Sequence, residues 1–463
     1  MTTRRTLAGP LASIVAVTVA LAAAGAGSTP AAAADYAIVV SESTRADAAW
    51  AGVVSALEAK HRDRAAVIRT WKQAPEEALA ALAAARPRHA CFVARPEEAT
   101  RDFVAAVHRL TRRLDDDPYG DVLWGILTGF DAAGALAIAE TNEPLVVRRV
   151  TAGTELAMDR VVEGVWYCEL EQHRMVRKEA GGEAHRERGP ADTTAALAAR
   201  LTDGVTDLFV TSGHATERDW QIGYAYKNGQ FRSGGGSLWG VDTSGARIPI
   251  ASDNPKVWLP VGNCLAGHVD GPDALALAFM KAGGVRQMIG YTVPTWFGYA
   301  GWGLLDYFVE QPGRFTLCEA FHANGHALIH RLETRAAPGD ERGLVFDRDV
   351  VAFYGDPAWE ARMAPGRLAF SQALTEQAGT FTLEIAPLDG RASFAPVNRN
   401  GSQRGGRPIV QFLPRRIGDV RILEGAEWKP LVTDDFVLVP LPPEGHATPV
   451  RIVFREATVA DGR

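Results

Sequence analysis

Apolar and polar positions follow different rhythms along this chain, and the changes of rhythm divide it. Up to about residue 190, short apolar runs alternate with stretches of helical spacing. Residues 36–40 and 89–94 read as strands; 46–62, 75–85 and 96–114 read as helices. Such alternation predicts a parallel sheet covered on both faces. Residues 177–190, with Glu179-Ala-Gly-Gly-Glu183 and Arg186-Glu-Arg-Gly-Pro190, are polar and glycine-rich, the texture of a surface loop or linker. From residue 191 the alternation resumes. Strands are expected over 207–212, 256–261 and 285–289, and helices over 272–282, 301–310 and 317–334, with Gly283-Gly284 as a C-cap. After residue 364 helical spacing disappears. Apolar runs at 380–385, 408–413, 435–440 and 449–454, punctuated by proline and glycine, predict a small β-sandwich.

The expected organisation is therefore α/β: an N-terminal α/β subdomain over 35–190, a second over 191–363, and a C-terminal β-sandwich over 364–463. No repeat of solenoid period interrupts it. Ahead of it, Arg4 and Arg5 precede an uncharged apolar run, 11–24, and Ala32-Ala33-Ala34. Residues 1–34 read as a signal peptide, with cleavage expected before Asp35 and a secreted or periplasmic location. The Thr-Arg-Arg-Thr-Leu opening is a weak twin-arginine signal, and plain secretion is the simpler reading. No cysteine lies near the cleavage point, so no lipid anchor is expected. No later run approaches the roughly 18 apolar residues of a membrane span.

Composition narrows the picture little: 47% hydrophobic and 22% charged is ordinary for a globular protein. The net charge of −6 becomes −8 once Arg4 and Arg5 are gone, which disfavours nucleic acid and anionic membranes as partners. Four cysteines are too few for a disulfide framework. If Cys264 is free, at most one bridge is available to Cys91, Cys168 and Cys318, and the pairing is not readable from spacing.

The chemistry gathers at two strand ends. The strand 207–212 runs into Gly213-His214, and the strand 256–261 into Gly262-Asn263-Cys264. In an open α/β sheet, functional groups collect at the carboxyl ends of strands. If these strands are neighbours, His214 and Cys264 share an edge, and the glycine ahead of each lets the chain turn sharply. An imidazole next to a thiol supplies the base that a thiolate nucleophile needs. The histidine precedes the cysteine by 50 residues, the spacing and order of the caspase arrangement. Alone, Cys264 reads as a buried small hydrophobe and His214 as a hydrogen-bonded loop residue; together they read as a dyad.

These stretches resemble the gingipain-type peptidases of the caspase-like clan of cysteine peptidases. The resemblance rests on Leu208-Phe-Val-Thr-Ser-Gly-His214 and Val257-Trp-Leu-Pro-Val-Gly-Asn-Cys264. It extends to the helix and strand 274–291, to Phe353-Tyr-Gly-Asp-Pro357, which is similar to the motif closing that catalytic domain, and to the acidic Asp115-Asp-Asp-Pro-Tyr-Gly-Asp121. It implies a caspase-like parallel sheet in two subdomains and an immunoglobulin-like C-terminal sandwich. It also implies a cysteine endopeptidase acting on protein or peptide substrates through Cys264 and His214, with the N–H groups of Ala215 and Cys264 as the oxyanion hole and no cofactor. Trp296 and Tyr291, in the aromatic stretch after the next strand, would line the substrate pocket. Glu155 or Glu163 would orient the histidine. Two positions depart from the family pattern: Ala215 replaces the glycine after the histidine, and Asn263 replaces the alanine before the cysteine. Both fit an active branch, and both fit a non-catalytic exported relative acting as a binding or surface protein.

Other residues compete for roles. Trp220 and 224–227 follow His214 closely and are loop candidates beside the cleft. Asp219 or Asp270 would select a basic substrate side chain, although a solvated loop carboxylate is the simpler reading of each. Cys318, His322, His326 and His330 recur every four residues, so one helix face carries all four. His-x-x-x-His is a metal-ligand spacing, but Ala323 stands where a metalloprotease has glutamate, and a packed helix face is the simpler expectation. Gly262-Asn-Cys-Leu-Ala266 is no hydrolase nucleophile elbow, and the histidine precedes the cysteine. Gly234-Gly-Gly236 reads as a flexible loop without the context of a phosphate cradle.

Overall fold

The computed structural model describes residues 35–401 and 403–457. The signal-peptide reading of residues 1–34 lies outside them. Among the described residues no helix is long and apolar enough to cross a membrane. Twelve strands form one sheet: β1 Tyr36–Ser41, β2 Val67–Trp71, β3 His89–Val93, β4 Leu123–Leu127, β5 Arg149–Ala152, β6 Glu163–Tyr167, β7 Arg174–Lys178, β8 His185–Arg188, β9 Leu208–Thr211, β10 Lys256–Pro260, β11 Val285–Tyr291 and β12 Val351–Tyr354. Their spatial order is β2-β1-β3-β4-β12-β11-β10-β9-β5-β6-β7-β8.

The sheet is mostly parallel and flanked by helices, but it contains a reversal. Strands β2, β1, β3, β4 and β12 run one way. Strands β11, β10, β9, β5 and β6 are parallel to one another. The β11–β12 pair is antiparallel, so the two halves run in opposite directions. The carboxyl ends of β5, β6, β9, β10 and β11 therefore share one edge. Strands β5 to β8, all before residue 190, belong to the half that carries His214. Strands β1, β3, β4, β9 and β10 are buried along their whole length, as strands covered on both faces are. One contiguous apolar core runs beneath both halves, with Trp258 stacked on Phe279 at 3.7 Å.

Several local expectations change. Residues 177–190 are not a loop: β7 and β8 pair as an antiparallel hairpin at the sheet's edge. Their charges suit a half-solvated edge strand, which polar composition disguises. The helix expected over 46–62 breaks at Asp47, whose carboxylate accepts from the Ala49 and Trp50 N–H groups and caps Ala48–Lys60. Gly235 and Gly236, both at positive φ, close a tight hairpin between Gln230–Gly234 and Ser237–Val241 rather than a flexible loop. That hairpin belongs to a four-stranded antiparallel sheet with Asp219–Gln221 and Arg247–Ile250. This sheet fills the interval between His214 and Cys264.

The C-terminal part holds two antiparallel sheets. One is formed by Phe370–Gln377, Thr380–Pro387, Val450–Glu456 and Val420–Glu424, the other by Ile409–Phe412, Phe436–Val439 and Leu431–Val432. Phe381, Leu383, Ile452 and Phe454 of the first pack with Ile409, Val437 and Val439 of the second in a separate core. The alternate residues Val410, Phe436 and Leu438 face the other way and join the α/β core. The small sheet is thus buried on both sides, which explains why 436–439 is apolar without alternation.

Candidate active site

Strands β9 and β10 are parallel neighbours, with Val210 beside Leu259 and Thr211 beside Pro260. Beyond these ends stand His214 and Cys264, so the topology brings the two residues to one edge. Gly213, at φ +100°, turns the chain off the strand axis ahead of His214. Leu265, just after Cys264, sits at φ +56°, a conformation leucine holds only where its surroundings impose it. Here the Leu265 N–H donates to the Val293 carbonyl at 3.2 Å, and the Gly267 N–H to the Tyr291 carbonyl at 2.9 Å. The chain beyond the cysteine is thereby pinned to the end of β11.

Asn263 joins the two loops. It is fully buried; Thr211 Oγ1 donates to its Oδ1 at 2.7 Å, and its Nδ2 donates to the Gly213 carbonyl at 3.0 Å. Trp258 Nε1 adds a bond to Thr211 Oγ1 at 3.1 Å, and Trp220 Nε1 one to the Ser212 carbonyl at 2.7 Å. Thr211, Ser212 and Gly213, which lead into His214, are thus held by Asn263 from the cysteine loop and by the two tryptophans.

Cys264 is the half-buried one of four free cysteines; Cys91, Cys168 and Cys318 are buried. No disulfide forms. Burial pushes the Cys91 and Cys318 thiols well up, which leaves them unreactive. Cys264 Sγ accepts from the Thr295 N–H at 3.2 Å and lies 3.8 Å from the Thr295 carbonyl. His214 is exposed, with its ring stacked on Tyr224 at 4.8 Å. It makes no hydrogen bond to Sγ. The N–H groups of Ala215 and Cys264 donate to no acceptor among the described residues, so both are free to receive an oxyanion.

The remaining candidates divide. Trp296 is 54% exposed, beside Thr295, and packs at a tilt on Phe346 at 5.3 Å. Tyr224 is 52% exposed and stacks over His214. Tyr291 is not a pocket wall: it is fully buried, its hydroxyl donates to Asp347 at 3.1 Å, and it supports the loop from beneath. Trp220 is likewise buried beneath the histidine turn. Asp270 is paired with Arg218 at 2.6 Å, while Asp219 accepts from Thr216 Oγ1 at 3.0 Å. Glu155 lies on the His214 edge but pairs with Arg174 at 3.2 Å. Glu163 opens β6 and lies on the opposite edge from His214, out of reach.

The histidine stripe holds no metal geometry. His322 Nε2 lies 2.8 Å from the Trp124 N–H, His326 stacks on Phe436 at 4.0 Å, and His330 Nδ1 meets the Tyr119 hydroxyl at 3.2 Å. The stripe is a packed helix face, on Leu317–Glu333.

Two residues at the edge were not singled out from the sequence. Thr295 follows β11 as Cys264 follows β10. Glu169 follows β6; it is buried, its Oε1 accepts from Thr154 Oγ1 at 2.7 Å, and its Oε2 has no partner. Its backbone carbonyl accepts from the Tyr224 and Ala225 N–H groups, which fixes the loop that carries Tyr224 over His214. The rule that names strand ends as sites finds both, once β6 and the full length of β11 are recognised as strands. Comparison with known proteins found no family model that matches the chain and no curated protein or solved structure significantly similar to it.

Proposed function

We propose that this protein is an exported cysteine endopeptidase of the gingipain type, on a caspase-like fold with an immunoglobulin-like C-terminal domain. The observation that carries the reading is the joint placement of His214 and Cys264 on adjacent, in-register strand ends, clipped together by the buried Asn263. The free N–H groups of Ala215 and Cys264 add an oxyanion site, and the partial exposure of Cys264 alone among the cysteines adds access.

In the proposed reaction the Cys264 thiolate attacks a peptide carbonyl carbon and forms a C–S bond. Negative charge moves to the carbonyl oxygen, held by the two N–H groups. His214 gives its proton to the leaving amine as the C–N bond breaks, then takes one from the water that hydrolyses the thioester. The imidazole must leave Tyr224 and turn towards Sγ. Catalytic contacts commonly tighten only with substrate bound. Trp296, next to Thr295, and Tyr224, stacked on His214, offer exposed aromatic surface to the substrate's flanking side chains.

A second reading, a non-catalytic binding protein on the same fold, is favoured by one observation: Sγ is engaged by Thr295 and not by His214. The two separate cleanly. The chain from Asp35 and its Cys264→Ala variant are incubated with a diverse peptide mixture under reducing conditions, and cleavage is read by mass spectrometry. Cuts made by the wild type alone are expected; an absence of cuts, with Cys264 no more alkylatable than the buried thiols, selects the binding protein.

A further inference from the structure

The C-terminal sandwich is more than an appendage to this site. The segment joining its strands Thr380–Pro387 and Ile409–Phe412 reaches back to the catalytic edge. Arg404, only 2% exposed, donates from Nε to Asp306 at 2.7 Å and from Nη2 to Glu310. Its guanidinium lies 6.0 Å over the Trp302 ring. Arg407 donates to Asn324 Oδ1 at 2.9 Å and lies 3.6 Å over the Tyr299 ring. Buried guanidinium groups held by paired carboxylates and an aromatic face fix a segment rather than tether it loosely.

What this anchoring achieves is seen at Trp302, on the helix Tyr299–Phe308. Its indole is packed between two glycine backbones. A Cβ on Gly401 would lie 2.4 Å from the ring; a Cβ on Gly262 would lie 2.8 Å from Nε1. Gly262 is two residues ahead of Cys264. Nearby, Asn400 Nδ2 donates to Glu169 Oε1 at 3.2 Å and to Thr154 Oγ1 at 3.3 Å, so the same segment touches the loops after β5 and β6.

We propose that this segment is a positioning element for the nucleophile: Gly401 holds Trp302 against Gly262, and through it sets where Cys264 presents its sulfur. The inference rests on the cysteine-peptidase reading. Gly401 and Trp302 touch no reacting atom, so they are positioning residues, and the sandwich domain becomes part of the working site. Thiol displacements of an ångström are enough to matter, since misplacement of that order costs up to about a hundredfold in rate.

The test is the pH profile of Cys264 alkylation by iodoacetamide in the full chain, read by mass spectrometry with peptide cleavage measured in parallel. Gly401→Ala, which places a methyl group against the indole, is expected to slow neutral-pH alkylation about tenfold and to lower kcat rather than raise KM. Gly379→Ala is the matched control. Gly379 also has positive φ, in a hairpin turn of the same sandwich, but nothing lies near its missing Cβ. It is expected to leave the profile unchanged. Trp302→Phe, which shortens the wedge without overpacking, is expected to act in the same direction as Gly401→Ala and covers the case in which that variant does not fold. A folded Gly401→Ala or Trp302→Phe with the wild-type profile overturns the proposal, as does an equal shift in Gly379→Ala. The wild type separates the two ideas. A Cys264 that titrates like an unperturbed thiol removes the peptidase reading, and the positioning role with it. A perturbed wild-type profile that Gly401→Ala does not move removes the positioning role alone.

Discussion

Between His214 and Cys264 the covalent chain is 50 residues long, yet the short route from one loop to the other passes through a single side chain, Asn263. An alanine here would leave the half-buried Gly213 carbonyl without its donor and the fully buried Thr211 hydroxyl without its acceptor. Each such loss costs about 1–3 kcal/mol. The histidine turn would then be held only by Trp220 and Trp258. Asn263→Ala is therefore expected to lower both peptide cleavage and the Cys264 alkylation rate about tenfold or more, with a smaller loss of thermal stability. Undiminished alkylation in a folded Asn263→Ala protein would show that the clip is incidental. Asn263, which departs from the pattern of the gingipain-type peptidases, is thus given a physical task, and it lies on the path between the two proposed catalytic groups.

At the scale of elements, the helix Leu317–Glu333 shows how a sequence signal is re-read by packing. The four-residue spacing of Cys318, His322, His326 and His330 correctly marks one face, but that face lies against β4 and the sandwich strand Phe436–Val439 rather than around a metal. Burial lowers His322 to about 3 and His326 well below its ordinary value. His108, against the same face, is lowered by burial to about 4. A base held neutral in the fold but free to ionise when unfolded stabilises above the unfolded pKa near 6.5, and that contribution is lost as pH falls through the folded value. These histidines are expected to make stability fall from about pH 6.5 down to about 3, against the opposite slope of burial-raised carboxyls such as Asp121 and Asp435, and His326→Leu is expected to flatten that fall. Thermal unfolding across this range checks it, and an unchanged slope in the variant would place the acid sensitivity elsewhere. The long, strongly periodic elements were legible for the same physical reason that this helix was: a buried face imposes its period on the sequence. The short strands β2, β4, β5, β6 and β12 were not read as strands, because four or five residues hold too few periods to decide on their own. The hairpin β7–β8 was hidden because an edge strand keeps its charges. The site residues His214 and Cys264 were legible because glycine turns flag strand ends, whereas Thr295 and Glu169 follow strands whose ends the pattern left undefined.

For the whole molecule, the reversal of strand direction between β11 and β12 creates a problem of coherence, since the two halves of the sheet meet at a single antiparallel seam. Asp356, just past β12, spans that seam: its backbone carbonyl accepts from Gln287 Nε2 of β11 at 2.7 Å, while its side chain reaches the start of the chain. Tyr36 donates to its Oδ1 at 2.8 Å, His61 Nε2 meets Oδ2 at 2.8 Å and Lys60 Nζ lies 2.9 Å away, all buried or nearly so. Gly355 precedes it at φ +117°, which lets the chain turn under β4 to reach Tyr36. Burial alone would raise the Asp356 pKa, but the His61 hydrogen bond and the Lys60 and His61 charges outweigh it and hold the carboxyl well below its usual range. A carboxyl held low stabilises the fold above its unfolded pKa near 4, and the contribution is lost as pH falls further. Removing the carboxylate strands a buried cation and a tyrosine hydroxyl, and breaking such a pair from one side costs about 3–5 kcal/mol. Asp356→Ala, on the Cys264→Ala background to exclude self-cleavage, is therefore expected to lower the unfolding free energy measured in urea by that order and to separate the unfolding of β1–β4 from that of β9–β11. Exchange of backbone amides follows the two halves separately. A single unshifted transition in the variant would mean that the seam coheres through its apolar core alone, and that the Gly-Asp-Pro turn is a local structure with no long-range task.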